Sequence, residues 1–289
     1  MMDIALTVEN TEELKEAIKA ETDEVILTLK GASFSALKAF DQEEILSLCT
    51  QAHQNGIKTS VLMDRLFDED EISYYEDILR YLRDTADWFI LSDLALMHTA
   101  EELGILSKVI YDPMTLMTSQ YDADLWLSLG VGGVSVSALL TLDEVSDLLK
   151  HNVSLSLPVF GYQPVSVSRR LLLKEMEEYY GLSGLSEKEN LYIEEESRDY
   201  RFSIRQNEKG SVVYSDYILE CFHEFKSFAD AGLKRAVINS YHLDFNMCLD
   251  ALALCRKFLH EEDSDIEAFF AKYPDADFKE GYLKWKTVK

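Results

Sequence analysis

The chain has 289 residues, 47% of them hydrophobic, and carries 53 acidic against 28 basic side chains for a net charge of −25. That is enough apolar material for one large domain or two smaller ones, while a polyanion of this strength repels nucleic acid and anionic lipid unless a local basic patch or a basic partner overturns it. No stretch approaches the ~20 consecutive apolar residues of a membrane crossing, and residues 1–8 lack a basic n-region and an apolar h-region, so no membrane partner is expected and the expected compartment is cytoplasmic. Cys49, Cys221, Cys248 and Cys255 suit that compartment and form no C-x-x-C pair.

From the N-terminus one unit repeats. Residues 4–8 are a short apolar run, and a helical pattern follows over 11–20 with Asn10 or Thr11 as its cap. Residues 24–29 read as the second strand, and 42–53 as a helix with Ile45, Leu46, Leu48 and Cys49 on one face, ended by Gly56. Strands at 59–63, 88–91, 108–111 and 134–136 are each followed by a helical stretch, at 69–83, 94–103, 123–129 and 142–150. Residues 153–157 alternate apolar and polar up to Pro158 and Gly161 and make the seventh strand. About fifty residues of extra chain, 162–211, come next, with Arg169 and Arg170 at their head. A helix at 217–229 closed by Gly232, a strand at 235–239 and a helix at 247–259 complete the series.

Short strands alternating with helices require parallel pairing, because each parallel connection needs a crossover. Eight such units in about 250 residues match a TIM-like (β/α)8 barrel with an insertion after strand seven; a doubly wound open sheet is the alternative. The expected organisation is one barrel-like domain over 1–259, including the 162–211 insertion, and an aromatic-rich tail over 260–289 that covers a barrel end.

In a barrel the reactive groups sit at the C-terminal strand ends, which places Asp64, Asp93, Asp112, Ser137, Tyr162 and Asn239 at the mouth, with His242 just beyond strand eight. Three converging carboxylates bind a divalent cation or act as acid and base; equally, Asp93 and Asp112 are residues that cap helices and turns. No histidine lies at a metal-ligand spacing, and no metal site is expected. G-x-S-x-G, P-loop and dinucleotide fingerprints are all missing. The insertion holds the basic cluster, Arg169, Arg170, Lys174, Arg198, Arg201, Arg205 and Lys209, interleaved with acids, and it reads either as a carboxylate- or phosphate-binding set or as a solvated charged face.

Val159-Phe160-Gly161 followed by Ser168-Arg169-Arg170-Leu171-Leu172 resembles peptidase family U32, the collagenase-like peptidases. The resemblance runs over residues 2–259 and includes Glu196-Ser197-Arg198-Asp199, the turn at 207–213, Asp230-Ala231-Gly232, and Ala52-His53 with Gly56; it is nearest to the shorter paralogues of Gram-positive bacteria. It implies a barrel-like β/α domain with an inserted segment. Some members are classed as proteases of collagen-like substrates. Others are linked to oxygen-independent hydroxylation of nucleobases or quinone precursors, often with an iron–sulfur cluster on four cysteines and sometimes as paired paralogues.

The chain departs from this pattern where chemistry is expected. Gln163-Pro164 stands at the first motif cysteine and no cysteine lies between Cys49 and Cys221, so no iron–sulfur cofactor is expected. Ala138-Leu139-Leu140 follows Ser137 where the family carries an Arg-Glu pair, and Val237 and Asn239 replace a lysine and an acid on strand eight. Asp93, Arg170, Arg198 and Asp199 survive. The resemblance therefore implies a subunit with degenerate motifs in a tRNA wobble-uridine hydroxylation system, its partner a longer U32-family paralogue that supplies the tRNA-binding surface. The alternatives are a collagenase-like protease and a catalytically inactive barrel holding a small anion through Arg170 and Arg198. Expected substrate contacts are Arg169, Arg170, Arg198, Asp199, Tyr162, Asn239 and His242; Asp64, Asp93 and Asp112 are the catalytic candidates.

Overall fold

The computed structural model describes residues 2–35, 38–114, 117–151, 154–188, 191–194, 201–262 and 264–286. Strands and helices alternate as β1 (Asp3–Val8), α1 (Thr11–Lys19), β2 (Glu24–Thr28), α2 (Gln42–Gln54), β3 (Lys58–Met63), α3 (Ile72–Leu82), β4 (Trp88–Leu91) and α4 (Leu94–Glu102). They continue as β5 (Val109–Tyr111), α5 (Gln120–Ser128), β6 (Gly133–Ser135), α6 (Leu142–Lys150) and β7 (Leu155–Gly161). An inserted segment follows, with β8 (Pro164–Ser168), α7 (Leu172–Tyr180), β9 (Leu191–Glu194), β10 (Arg201–Asn207) and β11 (Gly210–Tyr214). The chain closes with β12 (Ile218–Glu220), α8 (Phe222–Asp230), β13 (Arg235–Ile238), α9 (Phe245–Leu259), α10 (Ile266–Lys272) and β14 (Phe278–Lys279).

Strands β1 to β7 pair in order, all parallel, and β13 pairs parallel with both β1 and β7. That second pairing closes the sheet, so the fold is the (β/α)8 barrel and not the open sheet. Polar side chains start the helices: Asn10, Asp93, Ser119 and Asp244 cap α1, α4, α5 and α9, and Asp41 with Glu44 and Thr141 with Glu144 form capping boxes on α2 and α6.

Two apolar cores result from the alternation of side chains along each strand. The outward faces, among them Leu6, Leu27, Val61 and Phe89, pack with Leu14, Leu48, Ile78 and Leu79 of the helices. The inward faces meet in a smaller cluster of Ala5, Ile26, Leu62, Ile90, Ile110 and Tyr241. Below that cluster the inward positions are polar and mutually bonded, and above it they form the mouth.

The region expected to be one helix over 217–229 is a strand and then a helix. Strand β7 runs on to Gly161, and the segment Ile218–Glu220 lies antiparallel on it, with Leu219 opposite Gly161 and Glu220 opposite Phe160. An open strand edge beside apolar Ile218 and Leu219 outcompetes the helical turn. The Glu220 carboxylate then accepts from the backbone N–H of Phe222, where α8 begins.

The insertion is an antiparallel sheet in the order β8-β11-β10-β9 with α7 beside it. It is fastened over the barrel loops: Asn207 Nδ2 donates to the Ser33 carbonyl (2.8 Å), the Tyr214 hydroxyl to the Ser35 carbonyl, and Lys209 pairs with Glu71. In the C-terminal residues, Phe269 packs against Phe160, Phe222 and Phe278, and β14 pairs with β12. No helix among the described residues is long and apolar enough to cross a membrane.

Candidate functional site

A cavity of about 140 Å³ occupies the lumen at the C-terminal strand ends. Asp64, Asp112, Ser137 and Asn239 line it together, as their strand-end positions predict. Side chains not singled out in the sequence join them: Ser35, Ser135, Ser156, Tyr241 and Arg235. The rim is apolar, with Ala138, Leu139, Pro164 and Val165.

Asp64 is 6% exposed; its Oδ2 accepts from the Ser35 hydroxyl at 2.8 Å, and its Oδ1 has no hydrogen-bond partner among the described residues. Burial raises its pKa, with the Ser33 and Ser35 hydroxyls pulling the other way. Asp112 Oδ1 accepts from the Met114 N–H at 2.7 Å, and Met114 holds a left-handed φ of 59° to present that donor. Burial pushes the Asp112 carboxyl up to about 6; the Met114 N–H opposes the rise, the charge of Asp64 adds to it, and Ser135 and Arg235 oppose it. The floor is Arg235, whose guanidinium is held by Glu24, Ser60 and Ser156. Glu24 and Arg235 each open an apolar run, Glu-Val-Ile-Leu and Arg-Ala-Val-Ile, but nothing local in the sequence marks them as partners.

Other expected site residues lie elsewhere. Asp93 turns away from the lumen: its Oδ1 accepts from Ala95 N–H (2.8 Å) at the cap of α4 and its Oδ2 from Phe67 N–H (2.9 Å). The trio of carboxylates is therefore a pair, and among the described residues no three His, Cys, Asp or Glu side chains come together to hold a metal ion. Arg169 pairs with Asp68, and Arg170 is exposed at the head of α7, outside the lining of the lumen. Arg198 and Asp199 lie outside the described residues.

Tyr162 and His242 line a second, larger groove of about 670 Å³ between the inserted sheet and the C-terminal residues, and Arg170 does not line this one either. Arg201, Ser203 and Arg205 alternate along β10 to present one face to it, and Tyr192 stands opposite Ser203 on β9. His242 holds a left-handed φ of 67°, sets its ring edge-on to Tyr214 at 4.4 Å, and keeps Nε2 buried with no hydrogen-bond partner among the described residues. Burial first, then the Arg205 charge, pushes its pKa down to about 3, so the ring is neutral at ordinary pH.

A Thr–His–Asp set exists at the opposite end of the barrel, but Asp87 (2.8 Å) and Thr59 (3.2 Å) both meet the same nitrogen, Nε2 of His53. A nucleophilic triad needs its acid and its nucleophile on different ring nitrogens, so this set is structural. The four cysteines are buried free thiols, and burial raises all four pKa values. Gln163 stands in the lumen wall, and among the described residues no cysteine lines the lumen and no three His, Cys, Asp or Glu side chains come together.

The family model for peptidase family U32 matches residues 9–241, most of the barrel and the whole inserted sheet. The chain belongs to peptidase family U32. It is 22% identical over 211 residues to the tRNA hydroxylation protein P2 of Bacillus subtilis (strain 168), covering 71% of this chain and 67% of that protein. It is 30% identical over 168 residues to an uncharacterized protease of Methanocaldococcus jannaschii, covering 55% of this chain but 40% of the relative. The solved structure of a U32 peptidase superposes with a TM-score of 0.52 at 15% identity, covering 83% of this chain and 92% of that one; the two share the fold.

Proposed function

We propose that this U32-family chain is a subunit of a tRNA wobble-uridine hydroxylation system in the cytoplasm, acting beside a longer U32-family paralogue that contributes the redox cofactor and most of the RNA surface. The observation that carries the reading is the similarity to the tRNA hydroxylation protein P2, which extends over about two thirds of each chain. The net charge of −25 supports the need for a partner, because phosphate binding draws on Lys and Arg that this chain has in deficit. In this reading the chain carries no iron–sulfur cluster of its own.

The protease reading is weaker. Among the described residues the lumen offers no nucleophile hydrogen-bonded to a histidine, and its two carboxyls stand without a metal-ligand set. What the mouth does offer is a pair of aspartates: burial raises the pKa of Asp64, and that of Asp112 is lifted to about 6, which suits Asp112 to proton exchange near neutral pH.

The test is nucleoside mass spectrometry of tRNA from a strain lacking the gene, beside its parent. Loss of the hydroxyuridine-derived wobble nucleoside, restored by the gene in trans, is the expected result. An unchanged nucleoside profile in both strains overturns the proposal.

A further inference from the structure

The lumen carries an imbalance that the protein does not resolve. Arg235 is matched by Glu24 through two hydrogen bonds, so the floor is neutral as a pair. Above it stand Asp64 and Asp112, and among the described residues the cavity lining contains no second cation. Asn239 is already committed, its amide to the Tyr162 carbonyl and its oxygen to the Tyr241 N–H, and the Ser137 hydroxyl accepts from the Leu139 N–H. Asp64 Oδ1 is left buried without a donor among the described residues, on a side chain that lines the cavity and is 6% exposed. A buried carboxylate oxygen without a partner loses a large part of its hydration with nothing in return, which marks a place where a ligand supplies the donor.

We infer that the barrel mouth is a binding site for a small organic cation bearing N–H donors, a guanidinium or ammonium group, which donates to Asp64 Oδ1 and sits between Asp64 and Asp112. Charge, donors and size agree. A cation offsets the uncompensated acid pair; its N–H groups meet the orphan oxygen; and the cavity of about 140 Å³ has room for a headgroup. An anion meets two carboxyls here, and Arg170 does not line the cavity to receive it. The same chemistry has two sources: a free amine or guanidine, or a Lys or Arg side chain projecting from a basic partner that the −25 charge attracts. Cation binding at the mouth is independent of the tRNA reading and is tested without it.

The experiment titrates the full chain with methylguanidinium, methylammonium and N-acetylarginine methylamide, followed by ligand-observed NMR at low ionic strength. Methylurea, the neutral counterpart of methylguanidinium, and acetate are the controls. One or both small cations bind, and Asp64→Asn and Asp112→Asn, each confirmed as folded by its thermal melt, weaken binding about tenfold or more. Binding of the capped arginine as well assigns the site to a partner's side chain; binding of the small cations alone assigns it to a free metabolite. The inference is overturned if neither small cation binds, if methylurea or acetate binds as well as the cations, or if both folded variants bind like the parent.

Discussion

Arg235 and Glu24 meet across the floor of the barrel as a two-point ion pair, Nε to Oε2 at 2.9 Å and Nη2 to Oε1, between strands that start 211 residues apart in the chain. Ser156 (3.2 Å) and Ser60 (3.1 Å) take up further guanidinium N–H groups. Removing one partner of such a pair leaves a buried charge without compensation, so Arg235→Met costs about 3–5 kcal/mol. Removing both costs less than the sum of the single changes. Urea unfolding of Arg235→Met, Glu24→Gln and the double variant measures this; strict additivity would show that the pair is not coupled.

The Asp112 carboxyl gives a pH signature of defined sign. Its pKa lies at about 6 in the folded chain against an ordinary 3.8, so the folded state holds the proton more tightly than the unfolded one. Its contribution to stability is fully present below pH 4 and is lost as the pH rises through 6. The groups that act on it are Asp64 across the mouth, Arg235 on the floor, and the hydroxyl of Ser135. Asp112→Asn removes the titration, so relative to the parent it gains on the order of 2–3 kcal/mol between pH 4 and pH 7, because each pH unit separating the folded and unfolded pKa values is worth about 1.4 kcal/mol. Denaturant unfolding at the two pH values reads the difference directly. A parent and variant with parallel pH profiles would mean that Asp112 titrates normally.

The barrel was legible because its signal is redundant: each strand shows an apolar outward face, polar caps open most of the helices, and eight units match a barrel, although only the pairing of β13 with β7 excludes the open sheet. The mouth was half legible. Strand-end position picks out Asp64 and Asp112 but does not tell a carboxyl that faces the lumen from one that caps a helix, and Asp93 is the second kind. Arg235 and Glu24 escaped because their partnership is created by closure, and neither residue signals it locally. Strand β12 escaped because three residues that pair with an exposed edge have no period of their own, and the helix that follows claims them.

Gly161 is the residue that lets β7 pass β13 at the mouth. Its φ is 109°, and a Cβ added there would collide with the backbone carbonyl of Asn239, which is not a flexible atom. The Asn239 N–H donates to the Phe160 carbonyl at 2.8 Å, so the two chains cannot separate without losing that bond. Gly161→Ala is therefore destabilising by about 2 kcal/mol or more from backbone strain and displaced pairing together. Thermal unfolding checks it, with Gly181→Ala as the comparison: that glycine also has a positive φ, 64°, but nothing lies within 4 Å of its added Cβ. Equal losses in the two variants would reduce the effect to backbone conformation alone.

His242 provides the opposite pH signature. Its pKa is pushed from an ordinary 6.5 down to about 3 by burial and by the Arg205 charge, while Asp244 lines the same groove and Tyr214 covers one edge of the ring. A depressed histidine contributes stability that is present above pH 6.5 and is lost as the pH falls toward 3, because the unfolded chain takes the proton first. In NMR, the His242 ring resonances hold their neutral positions from pH 8 to pH 5. His242→Asn, chosen because asparagine tolerates the left-handed backbone, flattens the acid limb of the stability curve by up to one proton, about 1.4 kcal/mol per pH unit below 6.5. A His242 signal that titrates near 6.5 would show that burial does not shield the ring from water.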